Sequence, residues 1–131
     1  MHLLEKDKQA LIKIFPTVHI PFEIWAYGSR VTGDAHDGSD LDLVMRGLNI
    51  ENIPLEVISN LRDKIDDSTI PILVELRDWA RIAESFHRNI EKNYEVMYDN
   101  REQFEKSMHH LILNEPTAAY IPNLQQGSEI E

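Results

Sequence analysis

Tyr27-Gly28-Ser29-Arg30-Val31-Thr32-Gly33, followed by Ser39-Asp40-Leu41-Asp42-Leu43-Val44, is the stretch whose reading decides the fold. A Gly-Ser turn stands ten residues ahead of two carboxylates that alternate along an apolar run. In a strand, residues i and i+2 share a face, so Asp40 and Asp42 point one way while Leu41 and Leu43 point into a core. Two carboxylates held that close repel each other unless a cation lies between them. Hard oxygen ligands on a rigid strand suit Mg²⁺, which commonly brings a substrate phosphate with it. The Gly-Ser-Arg turn can meet that phosphate with backbone N–H groups and a guanidinium. Alone, the turn or the Asp-x-Asp is ordinary. Together, between two apolar strands, they read as a nucleotide-handling site.

Working outward, helix and strand alternate. Leu3 to Phe15 is predicted as an amphipathic helix with Leu4, Leu11, Ile14 and Phe15 on its buried side, ended by Pro16. Phe22 to Tyr27 and Leu41 to Arg46 are predicted strands, with a short helix from Ser29 to Asp34 and a polar loop to Ser39 between them. Asn52 is placed to cap a helix with Pro54 in its first turn and Val57, Ile58, Leu61 and Ile65 as its buried stripe. Ile70 to Leu76 is a third strand. Ile82, Ala83, Phe86 and Ile90 mark a helix ending near Asn93. Asp99 with Glu102 resembles a capping pair for a last apolar face of Phe104, Met108, Leu111 and Ile112. Trp25, Trp79, Phe86 and Phe104 read as core. The pattern gives an α/β (α+β) domain, a small mixed sheet packed with helices, over residues 1–113. Residues 114–131 read as a C-terminal tail, either partner-docking or disordered.

Composition narrows the classes of function. The chain has 131 residues, no cysteine and a formal net charge of −10. The length fits one domain with one modest core. Thiol catalysis, zinc-thiolate sites and disulfide scaffolds are excluded. The acidic balance argues against direct nucleic-acid binding, which needs a basic footprint. With no signal-like N-terminus and no apolar run of membrane-spanning length, a cytoplasmic location and no membrane partner are expected.

Gly28-Ser29, ten residues, then Asp40-x-Asp42 resembles the signature of the polymerase β-like nucleotidyltransferase superfamily, and within it the minimal nucleotidyltransferases (MNT proteins). The resemblance runs from Leu3 to Tyr98: Phe22 to Tyr27 is similar to the strand entering the turn, and Pro71 to Trp79 to the family's third strand. It implies the polymerase β-like fold and an antitoxin that pairs, as a hetero-oligomer, with a HEPN-domain toxin. The implied activity is transfer of AMP from ATP to a hydroxyl, a tyrosine of that toxin, with two Mg²⁺ ions (or Mn²⁺) at the site.

The resemblance also assigns roles. Asp40 and Asp42 would be catalytic metal ligands, and a third carboxylate is expected on the third strand. Glu75, a charge set between Val74 and Leu76, is the candidate. The family more often carries Asp there; Glu75 could otherwise be an exposed edge-strand residue, with Asp78 as the fallback. Gly28, Ser29 and Arg30 would bind the triphosphate. Gly28 permits close backbone approach, Ser29 donates its hydroxyl and N–H, and Arg30 pairs with the β- or γ-phosphate or is simply a solvated helix residue. Two other functions stay open: neutralisation of the toxin by binding alone, and transfer to a small molecule.

Overall fold

The computed structural model describes residues 1–48 and 53–104. The compact unit Met1–Arg101 carries helix α1 (Glu5–Ile14), strand β1 (Phe22–Tyr27), the one-turn helix α2 (Ser29–Thr32) and strand β2 (Leu41–Gly47). Helix α3 (Leu55–Asp66), strand β3 (Val74–Asp78), helix α4 (Glu84–Lys92) and strand β4 (Tyr94–Asp99) complete it. Short 3-10 turns follow α1 (Phe15–Thr17) and β3 (Trp79–Arg81). The second unit, Glu102–Glu131, is described only at residues 102–104, which are helical. The predicted positions Asn52, Met108, Leu111, Ile112 and the tail 114–131 lie outside the described residues.

The strands form one mixed sheet in the order β3-β2-β1-β4. β1 pairs antiparallel with β2 and with β4, while β2 and β3 run parallel. The parallel step is made by α3, the crossover that such a pair requires. One sheet face is apolar except at Asp78, the last residue of β3. Ile24, Ala26, Leu43, Met45 and Leu76 are buried there with Leu11 and Phe15 at the end of α1 and Ile58, Leu61 and Ile65 of α3. Those helical positions repeat at i, i+3, i+4 and i+7, which is why both helices lie flat on this face. The opposite face is half apolar. Trp25, Tyr27 and Val44 are buried under Trp79 and Ile90, with Ile82 and Phe86 packed against them.

Several boundaries differ from the sequence reading, each for a local reason. Leu4 is 63% exposed instead of buried. It is the N-cap of α1, with extended backbone, so helical spacing does not extend to it. Pro54 is the N-cap of α3 rather than a first-turn residue. The third strand starts at Val74, four residues late, because Pro71 has no N–H for the ladder. β4 has no counterpart in the reading of the sequence. Its register against β1 slips between Ile24 and Trp25, so two β4 residues, Met97 and Tyr98, oppose a single step of β1 and both join the first core cluster. A bulge of this kind breaks the period of two that makes a strand legible. Trp25 and Trp79 are buried as expected, whereas Phe104 is 37% exposed.

Candidate active site

The charged end of the second sheet face follows from register alone. Tyr27 on β1, Asp42 on β2 and Glu75 on β3 are direct cross-strand partners, so their side chains rise from one face in a row. β1 then turns at Gly28, whose φ of +81° lies where only glycine sits without strain. A Cβ built on Gly28 would stand 2.6 Å from Asp42 Oδ2. The glycine therefore brings backbone against the carboxylate, and no side chain fits in between. Ser29 opens α2, and Gly33, at φ +97°, closes it.

The three predicted carboxylates share this end but do not form a cage. Asp40 is exposed just before β2, Asp42 is partly buried and Glu75 is 43% exposed. Burial pushes the Asp42 carboxyl above its ordinary range; Arg77 offsets part of that, and Asp40 and Glu75 add to it. Mutual repulsion among hard oxygen donors is the chemistry of a divalent-cation site. Yet among the described residues no three His, Asp or Glu side chains converge to hold a metal. The gap is filled by Arg77. Its Nη1 lies 3.7 Å from Asp42 Oδ1, its Nη2 lies 3.7 Å from Glu75 Oε1, and Nη1 donates to the Tyr27 hydroxyl at 2.9 Å. Burial works to lower the Arg77 pKa, but Tyr27, Glu75 and Asp42 together raise it, so the guanidinium is firmly charged.

Arg30 does not stand where a triphosphate could meet it. It is 3% exposed, and its donors are committed to backbone carbonyls: Nε and Nη2 to Ser39, Nη2 to Asp37 and Nη1 to His2. It braces the loop that delivers Asp40, a structural task and not the phosphate contact expected. Asp78, the fallback ligand, is likewise removed. It is buried, caps the following turn by accepting from Ala80 N–H and pairs with Arg81. Ser39 is structural too: its hydroxyl accepts from the His36 N–H at 3.0 Å.

A cleft of about 470 Å³ opens beside the row. Gly28 and Thr32 line one wall, Asp42 and Arg77 the floor, and Phe86, Asn89, Lys92 and Asn93 of the α4 end the other wall. A second cavity, of about 500 Å³, lies between His2, Asp7, Arg30 and Ile72 and reaches neither Asp42 nor Glu75. Chemistry, not size, selects the first. The sequence reading missed Arg77, Asn89, Lys92 and Asn93. Arg77 was within reach, since two residues after Glu75 on a strand is the same face. The α4 residues were not, because nothing local says which loop end a helix covers.

The chain matches the family model described as polymerase β, nucleotidyltransferase, over residues 9–103. A probable protein adenylyltransferase, MntA of Haemophilus influenzae, is 33% identical over 106 residues, covering 79% of this chain and 90% of the relative. Among solved structures, a toxin–antitoxin with AMP-PNP superposes with a TM-score of 0.58 at 16% identity, over 83% of this chain and 92% of that one. A tri-AMPylated Shewanella oneidensis HEPN toxin in complex with its MNT antitoxin gives 0.55 at 13% identity, over 86% and 92%. Those two likenesses speak for the fold; the family model and the MntA relative speak for descent. The chain belongs to the polymerase β nucleotidyltransferase family, as a minimal nucleotidyltransferase related to MntA.

Proposed function

We propose that this chain is the antitoxin of a toxin–antitoxin pair and silences a HEPN-domain toxin by moving AMP from ATP onto a hydroxyl, a tyrosine of that partner. The observation that carries the proposal is the Tyr27–Asp42–Glu75 row, whose Tyr27 and Asp42 line, with Gly28, a cleft of nucleotide size. The names of MntA and of the toxin complexes support the partner and the chemistry.

Transfer forms a bond from the acceptor oxygen to the α-phosphorus as the bond to pyrophosphate breaks, and the hydroxyl proton passes to solvent. Asp40, Asp42 and Glu75 would hold Mg²⁺ or Mn²⁺ once Arg77 is displaced from between Asp42 and Glu75, and the ion would neutralise charge on the entering and leaving oxygens. Gly28 and Ser29 present backbone to the phosphates. Lys92, at the opposite wall, supplies the cation that Arg30 cannot. Asn89 and Asn93 each carry a donor and an acceptor, the pair an adenine edge can use.

Co-expression with the HEPN-domain partner and intact mass of that partner test the proposal. One or more added AMP groups, lost on Asp42→Asn, are expected; an unmodified partner in the presence of ATP and Mg²⁺ refutes transfer. The second reading, neutralisation by contact alone, is favoured by one observation: Arg77 already occupies the space between Asp42 and Glu75.

A further inference from the structure

In-line displacement puts the attacking and leaving oxygens on opposite sides of the α-phosphorus. The cleft bounded by Gly28, Thr32 and the end of α4 runs from the end of β1 to Arg77 on β3 and, in the transferase reading, takes the nucleotide and its leaving pyrophosphate. The approach opposite the α4 wall runs over β3, an outer strand of the sheet, which carries Glu75. At that edge lies a groove of about 210 Å³ formed by Leu55, Arg62, Arg77, Asp78, Arg81 and Ile82. Arg77 lines both this groove and the nucleotide cleft, so the two meet at its side chain.

The groove is rich in arginine. Three guanidiniums border it: Arg81 is paired with the buried Asp78, Arg77 faces Asp42 and Glu75, and Arg62 is paired with no carboxylate among the described residues. Arg62 is anchored by Nε and Nη2 on the Leu76 carbonyl at 3.0 and 2.6 Å, which holds its charge at the groove wall. This cluster of guanidiniums, with the Arg62 charge uncompensated, stands on a chain of net charge −10. Beside it Leu55 is 65% exposed. An apolar lip on a cationic floor is complementary to an acidic segment with an apolar side chain, and it repels a basic one.

We propose that the β3-edge groove is the acceptor dock: it takes an acidic segment of the partner protein and so brings the neighbouring hydroxyl to the Glu75 side of the site. The proposal rests on the transferase reading above, and goes beyond it in naming the face and the chemistry of the acceptor.

The test measures AMP incorporation into the HEPN-domain partner at varied partner and varied ATP, with partner affinity by calorimetry alongside. Leu55→Glu and Arg62→Glu are expected to raise the KM for the partner and its Kd about tenfold, the scale of one interface anchor, while the KM for ATP stays unchanged. Arg62→Gln keeps a donor for the Leu76 carbonyl and removes only the charge; an intermediate value separates docking from damage to the fold. Arg88→Glu makes the same charge change on α4, where Arg88 is 63% exposed and pairs with Glu84; it should leave both constants as in the wild type. Groove variants that match the wild type, or an equal effect from Arg88→Glu, overturn the dock. A wild type that transfers no AMP overturns the transferase reading instead, and the calorimetric order of the same variants still decides whether the groove holds the partner.

Discussion

The two faces of the sheet are built from the same four strands and reach opposite ends. Against α1 and α3 the inward positions are apolar apart from the buried Asp7 and Asp78, and among the described residues nine of the eleven largest side chains under 2% exposed lie on that side. Against α4 the apolar cluster stops halfway: Arg77 is the cross-strand partner of Val44, and the row beyond is Tyr27, Asp42 and Glu75. One face is a foundation and the other a workbench. The register that sets Leu43 opposite Leu76 on the first face also sets Asp42 opposite Glu75 on the second, because the side-chain period is two. The core thus aligns the site.

The sharpest way to break this comparison is Asp42→Asn. It removes one charge from the row while leaving the apolar face untouched. AMP transfer should fall by about three orders of magnitude, the scale expected when a preorganised charge meeting the transition state is lost. Far-UV circular dichroism should stay that of the wild type. A transfer rate within tenfold of wild type, by intact mass of the partner, would place the chemistry elsewhere.

Glu75 comes next. Glu75→Gln keeps volume and removes charge, and should reduce transfer about a hundredfold. Glu75→Asp should keep measurable activity, since the shorter carboxylate is the residue the family more often carries. If both behave as wild type, the half-exposed Glu75 is only a partner of Arg77, and the row has two working members instead of three. The two substitutions together therefore distinguish ligand from neighbour.

What the sequence told and withheld divides along the same two faces. The strands β1 and β2, the apolar stripes of α1 and α3, and the Gly28 turn were readable because periodicity and glycine carry local physical meaning. The roles of the arginines were not. Arg30 and Arg77 are alike in sequence, each two residues from a feature of the site. One is buried against three backbone carbonyls and the other stands between two carboxylates, and only the tertiary register decides which. β4 escaped because its bulge puts Met97 and Tyr98 on one side.

Arg30 sharpens the comparison through stability. Arg30→Met fills similar space but leaves the carbonyls of His2, Asp37 and Ser39 without their donor. A loss of about 2–3 kcal/mol is expected, as for charged hydrogen bonds in a buried setting. Urea unfolding reads it directly. Because the brace holds the loop before Asp40, transfer should also decline, by less than in either carboxylate variant. A variant as stable as wild type would mean that the loop needs no brace.

The smallest effect expected is a gain. The folded state holds Asp42 above its ordinary pKa of 3.8, through burial first and the Asp40 and Glu75 charges after it, with Arg77 compensating only in part. A carboxyl raised in the folded state binds more protons there than in the unfolded chain between the two pKa values, so its contribution to stability falls as pH rises through that window. Above the folded pKa the penalty is complete; below 3.8 the carboxyl is neutral in both states and the penalty vanishes. Asp42→Asn, already inactive, should therefore melt slightly higher than wild type at pH 7, and the difference should close as the pH is lowered past the carboxylate range. Scanning calorimetry of the pair at pH 7 and pH 3.5 checks the sign. Arg77→Met should move the wild-type behaviour the other way, lowering the melting temperature at pH 7, because it removes the charge that partly compensates Asp42. If Asp42→Asn instead melts lower at neutral pH, Asp42 is a stabilising member of an ion pair with Arg77, and the charged end of the sheet is held together as firmly as the apolar face beneath it.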